Sequence, residues 1–122
     1  MMARDTGDIK IIYNGFFYII IMQIPSVSAM QASSLRIDIS AHDVANINTP
    51  GFSQSRPVQS SLKSGTEISA IHKIAPPSPE FSATELAEES AEQIISEKSF
   101  AANAAVIKTQ DKMLGEVVNL VV

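Results

Sequence analysis

Two histidines, His42 and His72, a run of carboxylates at Glu85, Glu88, Glu89 and Glu92, and Gly51 directly after a proline are the residues of this chain whose types invite chemistry. A metal centre would need histidines and carboxylates at a ligand spacing such as HExxH, and the two histidines stand in different segments without it. General acid–base work would need a histidine oriented by a carboxylate, or paired carboxylates in a cleft. Neither histidine has a neighbour that fixes its orientation, so both read as solvated or packing residues. The glutamates read as the solvated start of a helix, and Gly51 has no GxGxxG or P-loop context. Cysteine is absent, which excludes thiolate catalysis, disulfides and Cys-based metal sites. No enzyme motif stands, and no cofactor, metal or small-molecule substrate is expected.

The elements around these residues point away from a catalytic core. The 122 residues suffice for at most one domain, and 45% of them are apolar. Aromatics make up only 6% and tryptophan is missing, so Ala, Ile and Val carry the apolar mass and suit narrow helix seams better than a thick core. A formal charge of −4 supplies no basic patch, and nucleic acid is not an expected partner.

The apolar run Ile11–Met22, "IIYNGFFYIIIM", is interrupted by Asn14 and Gly15 and falls short of the roughly 20 residues that span a bilayer. Residues 1–21 read as an upstream or targeting segment. Arg4 and Lys10 before the run, and Val27-Ser28-Ala29 after it, fit a secretory signal, whereas Asp5 and Asp8 cancel those two charges. A helical pattern that runs straight through the supposed cleavage point also counts against a signal, and a start at Met22, with residues 1–21 upstream of it, is the third reading. From Val27 the small or apolar positions are Val27, Met30, Ser34, Ile37, Ala41 and Val44, a two-heptad seam that Leu35 and Ile39 widen. The helix is expected to end between Asn46 and Asn48, since Pro50 pushes its predecessor out of the helical region and asparagine tolerates the left-handed one. Pro50 and Gly51 then take the two central positions of a type II turn.

Residues 53–81 read as an extended middle segment. Within it Thr66–Ile74 places Ile68, Ala70, His72 and Ile74 on one alternating face, the pattern of a short strand, and Ala75–Glu80, "APPSPE", is a linker that no helix crosses. Ser82 and Glu85 have the spacing of a capping box, opening a helix over 82–122. In its last part Phe100, Ala104, Ile107, Asp111, Leu114, Val118 and Val121 repeat at heptad spacing. Forty helical residues would make a rod about 60 Å long. A chain this small cannot cover both sides of such a rod, so its seam must meet the first helix, other copies, or a different chain.

Two stretches resemble one known family. "SAMQASSLRIDISAHDVANINTPGF", Ser28–Phe52, resembles the N-terminal segment of the flagellar rod, hook and hook-associated axial proteins, in which an amphipathic helix runs into an N-x-A-N-x-x-T-P-G-[FY] turn. "SFAANAAVIKTQDKMLGEVVNL", Ser99–Leu120, is similar to the segment that closes those proteins. Asp43 departs from the pattern, standing where the family has an asparagine. The roughly hundred residues from Met22 leave no room for the outer domains of hook or distal-rod proteins.

The resemblance implies a mainly α fold in which two long amphipathic helices, N- and C-terminal, pair in a coiled-coil-like way across an extended loop with a short β segment. It implies a structural axial subunit of the bacterial flagellar basal-body rod, assembling through its terminal helices into a helical tube. The expected partners are other flagellar rod and hook axial subunits, further copies of the chain, and the flagellar export apparatus. The expected location is the periplasm-spanning rod, reached without a cleaved signal. Asn46, Asn48, Thr49, Pro50, Gly51 and Phe52 would fix the exit from the first helix so that the middle segment projects toward a neighbouring subunit. Asn103 is either a buried polar register device on the seam or an exposed helix asparagine. The alternative is a small secreted or membrane-tethered helical adaptor unrelated to flagella.

Overall fold

From Ile11 to Leu35 the chain has no charged residue, and from Arg36 onward charges return at intervals that leave one side of a helix free of them. In a computed structural model this whole stretch is one α-helix, α1, Thr6–Ala45. The structure describes residues 6–121, apart from the side chains of Thr6, Asp8, Ile9, Ile11, Ile12, Ile19, Ile20, Met22, Leu120 and Val121. Arg4 and Asp5 of the charged start, and the Val121 side chain of the seam, therefore lie outside what is described. No break separates residues 6–21 from the helix that follows. Pro25 lies inside α1, where it lacks the N–H that would bond the Ile21 carbonyl.

The middle segment is more regular than its sequence pattern predicts. Strand β1, Gln54–Leu62, and strand β2, Gly65–Ile74, form an antiparallel hairpin closed by Lys63 and Ser64. The extended loop with one short β segment is thus corrected to a two-stranded sheet. β1 escapes a pattern reading because "QSRPVQSSL" has three serines, no apolar alternation, and a proline, which sheets tolerate on edge strands such as these. Pairing with β2 supplies the order its own residues do not. The register shifts after Val58↔Ala70 to Gln59↔Ile68, leaving Ser69 as the extra residue of a bulge, its hydroxyl donating to the Val58 carbonyl at 3.2 Å. The bulge breaks the expected face of Ile68, Ala70, His72 and Ile74. Ile68 is half-buried, and the other three are exposed.

The second helix, α2, spans Leu86–Val121, about 54 Å at 1.5 Å per residue. It starts later than the capping-box pattern implies. Ser82 Oγ accepts the Thr84 N–H at 3.2 Å in a local turn, while the Glu85 carbonyl accepts the Glu89 N–H at 3.0 Å, which makes Glu85 the cap position.

α1 and α2 lie side by side and antiparallel: Gln23 reaches Asp111 at one end, Arg36 reaches Glu92 farther along, and Ser40 reaches Glu89 near the other. The line between them is polar. On α1 the buried residues are Ser26, Ala32, Ser33, Ser40 and Asp43, and on α2 they are Glu89, Ser96 and Gln110. Three of the α1 positions and all three of the α2 positions fall at multiples of seven. This buried line runs one residue before the apolar heptad of each helix, at 26, 33 and 40 rather than 27, 34 and 41, and at 96 and 110, with half-buried Asn103 between them, one ahead of the phase of 104, 111 and 118. Ala32 is the one buried hydrophobic residue among those described. The accessible surface is 8753 Å². A compact monomer of 13.1 kDa would expose about 6,400 Å².

Candidate assembly surface

The end of α1 is built from its asparagines. Asn46 donates its side-chain amide to the His42 carbonyl at 2.9 Å, and its backbone N–H bonds the Asp43 carbonyl at 3.1 Å, closing the last turn over orphan carbonyls. The Thr49 hydroxyl reaches Asn46 Oδ1 at 3.2 Å. Gly51 then sits at φ 72°, and the Phe52 N–H returns to the Thr49 carbonyl at 3.2 Å, the bond and the left-handed residue of a type II turn. An added Cβ at Gly51 would meet only the Pro79 carbonyl oxygen at 3.6 Å, so the backbone angle, not space, requires glycine there.

The turn is tied to the other end of the chain's middle. Gly51 N–H donates to the Phe81 carbonyl at 3.1 Å, and Ala83 N–H donates to the Phe52 carbonyl at 3.0 Å. Phe52 is half-buried, its ring tilted against His42 at 5.6 Å between centroids and lying 6.0 Å from the Lys73 ammonium. His42 is therefore a packing residue of this junction. Rather than projecting from the helix end, the middle segment folds back along α1. Gln59 accepts from Arg36 at 3.2 Å, and the Thr66 N–H reaches Ser28 Oγ at 3.1 Å, far back along the helix.

Sequence patterning passes over the polar cluster that locks this arrangement. Asp43, fully buried, accepts the Ser55 N–H at 2.7 Å; Ser55 Oγ accepts from Lys73 at 2.6 Å. Glu89, also buried, takes the Gln54 amide on its carboxylate and the Ser40 hydroxyl on its backbone carbonyl. Arg36 pairs with Glu92 at 2.5 Å, and Arg56 with Glu88. Glu89 and Glu92 are thus not part of a solvated helix start. Arginines and an amide from α1 and β1 supply the donors that a carboxylate needs on leaving water. The seven-residue recurrence of Ser26, Ser33 and Ser40, and of Glu89, Ser96, Asn103 and Gln110, is the sequence signal that marks this line.

The apolar heptad positions lie elsewhere. Val27, Phe100 and Val118 are 44%, 38% and 50% exposed, and Ala41 is exposed too. Met30, Ile37, Val44, Ala104, Ile107 and Leu114 are half-buried at the margin of the polar line. Asn103 is half-buried and donates its amide to the Ser99 carbonyl of its own helix at 2.8 Å. Asn48, Thr49, Pro50 and Gly51 are exposed around the turn, and Asn46 and Phe52 are half-buried. Leu35, Ile94, Ile95, Val106, Met113 and Val117 add to the exposed apolar faces of the two helices. Among the described residues no group of His, Asp and Glu is placed to hold a metal ion.

Residues 80–120 match the family described as flagellar basal body rod FlgEFG protein C-terminal, a span that covers nearly all of α2. No curated protein matches the chain. The match takes in about a third of the chain and supports a likeness of that span to flagellar rod and hook proteins.

Proposed function

On the premise of that C-terminal match, we propose that the chain is an axial subunit of the bacterial flagellar rod, assembling with copies of itself and with other rod and hook subunits through the outer faces of α1 and α2. The observation that carries this reading is that the line buried between the helices is polar, with Ser26, Ser33, Ser40, Asp43, Glu89, Ser96 and Gln110 in it, while Val27, Leu35, Ile94, Phe100, Val106 and Val118 stand exposed. Apolar surface of this extent is a cost to an isolated monomer and a driving force for packing. The total surface of 8753 Å², against about 6,400 Å² for a compact monomer of this mass, fits two long helices that leave much of their length uncovered. Contacts between unlike faces of identical subunits generate open helical arrays. The turn at Asn46–Phe52 supports the same reading by fixing the angle between α1, the hairpin and the start of α2 in each subunit. Export through the flagellar apparatus without a cleaved signal belongs to the proposal.

One observation favours the second reading, a membrane-tethered adaptor: from Tyr13 to Ala45, α1 is long and apolar enough by composition to cross a bilayer. The C-terminal part of that stretch, however, packs Ser26, Ser33, Ser40 and Asp43 against α2 and the hairpin. Those polar contacts exclude lipid from that side of residues 26–43, and the tethered reading rests on the exposed Tyr13, Phe16, Phe17, Tyr18, Ile21 and Ile24 before them. Isolation of basal bodies from flagellated cells that make the tagged full chain separates the two. The rod reading expects the chain in detergent-stripped basal bodies. Its recovery solely in the detergent-soluble membrane fraction or the medium would overturn that reading.

A further inference from the structure

Pro25 is the weak point of α1. A proline inside a helix removes one hydrogen bond and crowds the carbonyl four residues before it, and such sites are where helices kink. The helix divides there. From Ser26 onward one side is buried against α2 and the hairpin, whereas Tyr13, Phe16, Phe17, Tyr18, Ile21 and Ile24 before it are exposed.

The hairpin tip sits on this weak point. Ser28 Oγ donates to the Pro25 carbonyl at 2.9 Å and accepts the Thr66 N–H at 3.1 Å, so one hydroxyl joins the helix at its proline to the first turn of β2. Gly65, at φ 143°, lies so close that an added Cβ would fall 2.0 Å from Ser28 Oγ and 3.2 Å from the Pro25 Cα. No residue with a side chain fits that approach without displacement, and none but glycine takes that angle readily. Both the angle and the space therefore hold the tip against one turn of α1.

We propose that the hairpin tip is a clasp that keeps α1 continuous across Pro25, and that its release lets the exposed aromatic end of the helix swing relative to the part packed on α2. Closed, the clasp sets the direction of that end. Open, the end before Pro25 is still joined to α2 by the Gln23 to Asp111 bond at 3.1 Å. The inference stands on the chain's own geometry and does not depend on the rod reading.

Hydrogen exchange on the full chain and on Ser28→Ala tests it, because two accounts predict opposite signs. Alanine is the better helix former, so if Ser28 is merely a helix residue its replacement slows exchange of the amides at 21–29. With a clasp, losing the hydroxyl speeds exchange several-fold at 21–29 and at Thr66, while 36–45 and the middle of α2 keep their protection. Gly65→Ala provides the second variant. Its acceleration at 21–29 is expected to be smaller in the Ser28→Ala background than in the parent, since the closest clash is gone. Unchanged or slower exchange at 21–29 in Ser28→Ala overturns the proposal, as does acceleration by Gly65→Ala confined to the tip.

Discussion

Asp43 shows how one side chain governs the junction. It is fully buried, and among the described residues its carboxylate bonds the amide of Ser55, the second residue of β1. Asp43→Ala should leave that amide unsatisfied and cost about 1–3 kcal/mol. Asp43→Asn keeps an acceptor in place and should cost much less, a difference that urea midpoints would resolve. Equal midpoints for the two variants would show that the Ser55 bond contributes nothing. Gly51 makes a second test at this scale. Space is open beside it, so Gly51→Val should cost at least about 1 kcal/mol through φ alone. Gly51→Asn, which tolerates the left-handed region, should cost less. The turn was legible in the sequence because proline, glycine and asparagine act through local backbone angles. The role of Asp43 was not, since nothing local says that a residue twelve positions on will bring its amide there.

At the scale of elements, the two helices were legible as helices, and their buried sides were not. Heptad spacing is present twice on each, one position apart: an apolar set through Val27 and Val118, and a polar set through Ser26, Ser33, Ser40, Glu89, Ser96 and Gln110. Hydrophobicity alone selects the first. The chain buries the second because arginines and amides from α1 and β1 satisfy the glutamates of α2, a long-range arrangement. Ser40, only 1% exposed and bonded to the Glu89 carbonyl, tests the choice. Ser40→Leu should destabilise by about 1–3 kcal/mol through overpacking and loss of the bond, lowering the thermal midpoint. Were an apolar seam the true pairing surface, the same change would raise it. Val27→Ser, on the exposed side, should stay within about 0.5 kcal/mol of the parent. β1 was illegible for a related reason, its order coming from β2 rather than from its own serines and proline.

The whole molecule is a pair of long helices clasped by a hairpin, with a line of small and polar residues buried between the elements and many large apolar residues exposed beside exposed charges. Covering an exposed Val or Leu with a neighbouring subunit would contribute about 1.5–3 kcal/mol each, and Ala32, the one buried hydrophobic residue among those described, offers no comparable gain within one chain. Assembly surface and folding core have in this sense changed places. Val118, half-exposed on α2, tests this most directly. Lysine is a better helix former than valine, so Val118→Lys should leave the circular dichroism of the free chain unchanged while placing a charge in the proposed contact. Basal bodies purified from flagellated cells should contain the parent chain and the control Lys112→Glu at equal levels, and should lack Val118→Lys. Recovery of Val118→Lys at the parental level would contradict the claim that the outward apolar faces of the helices build the assembly.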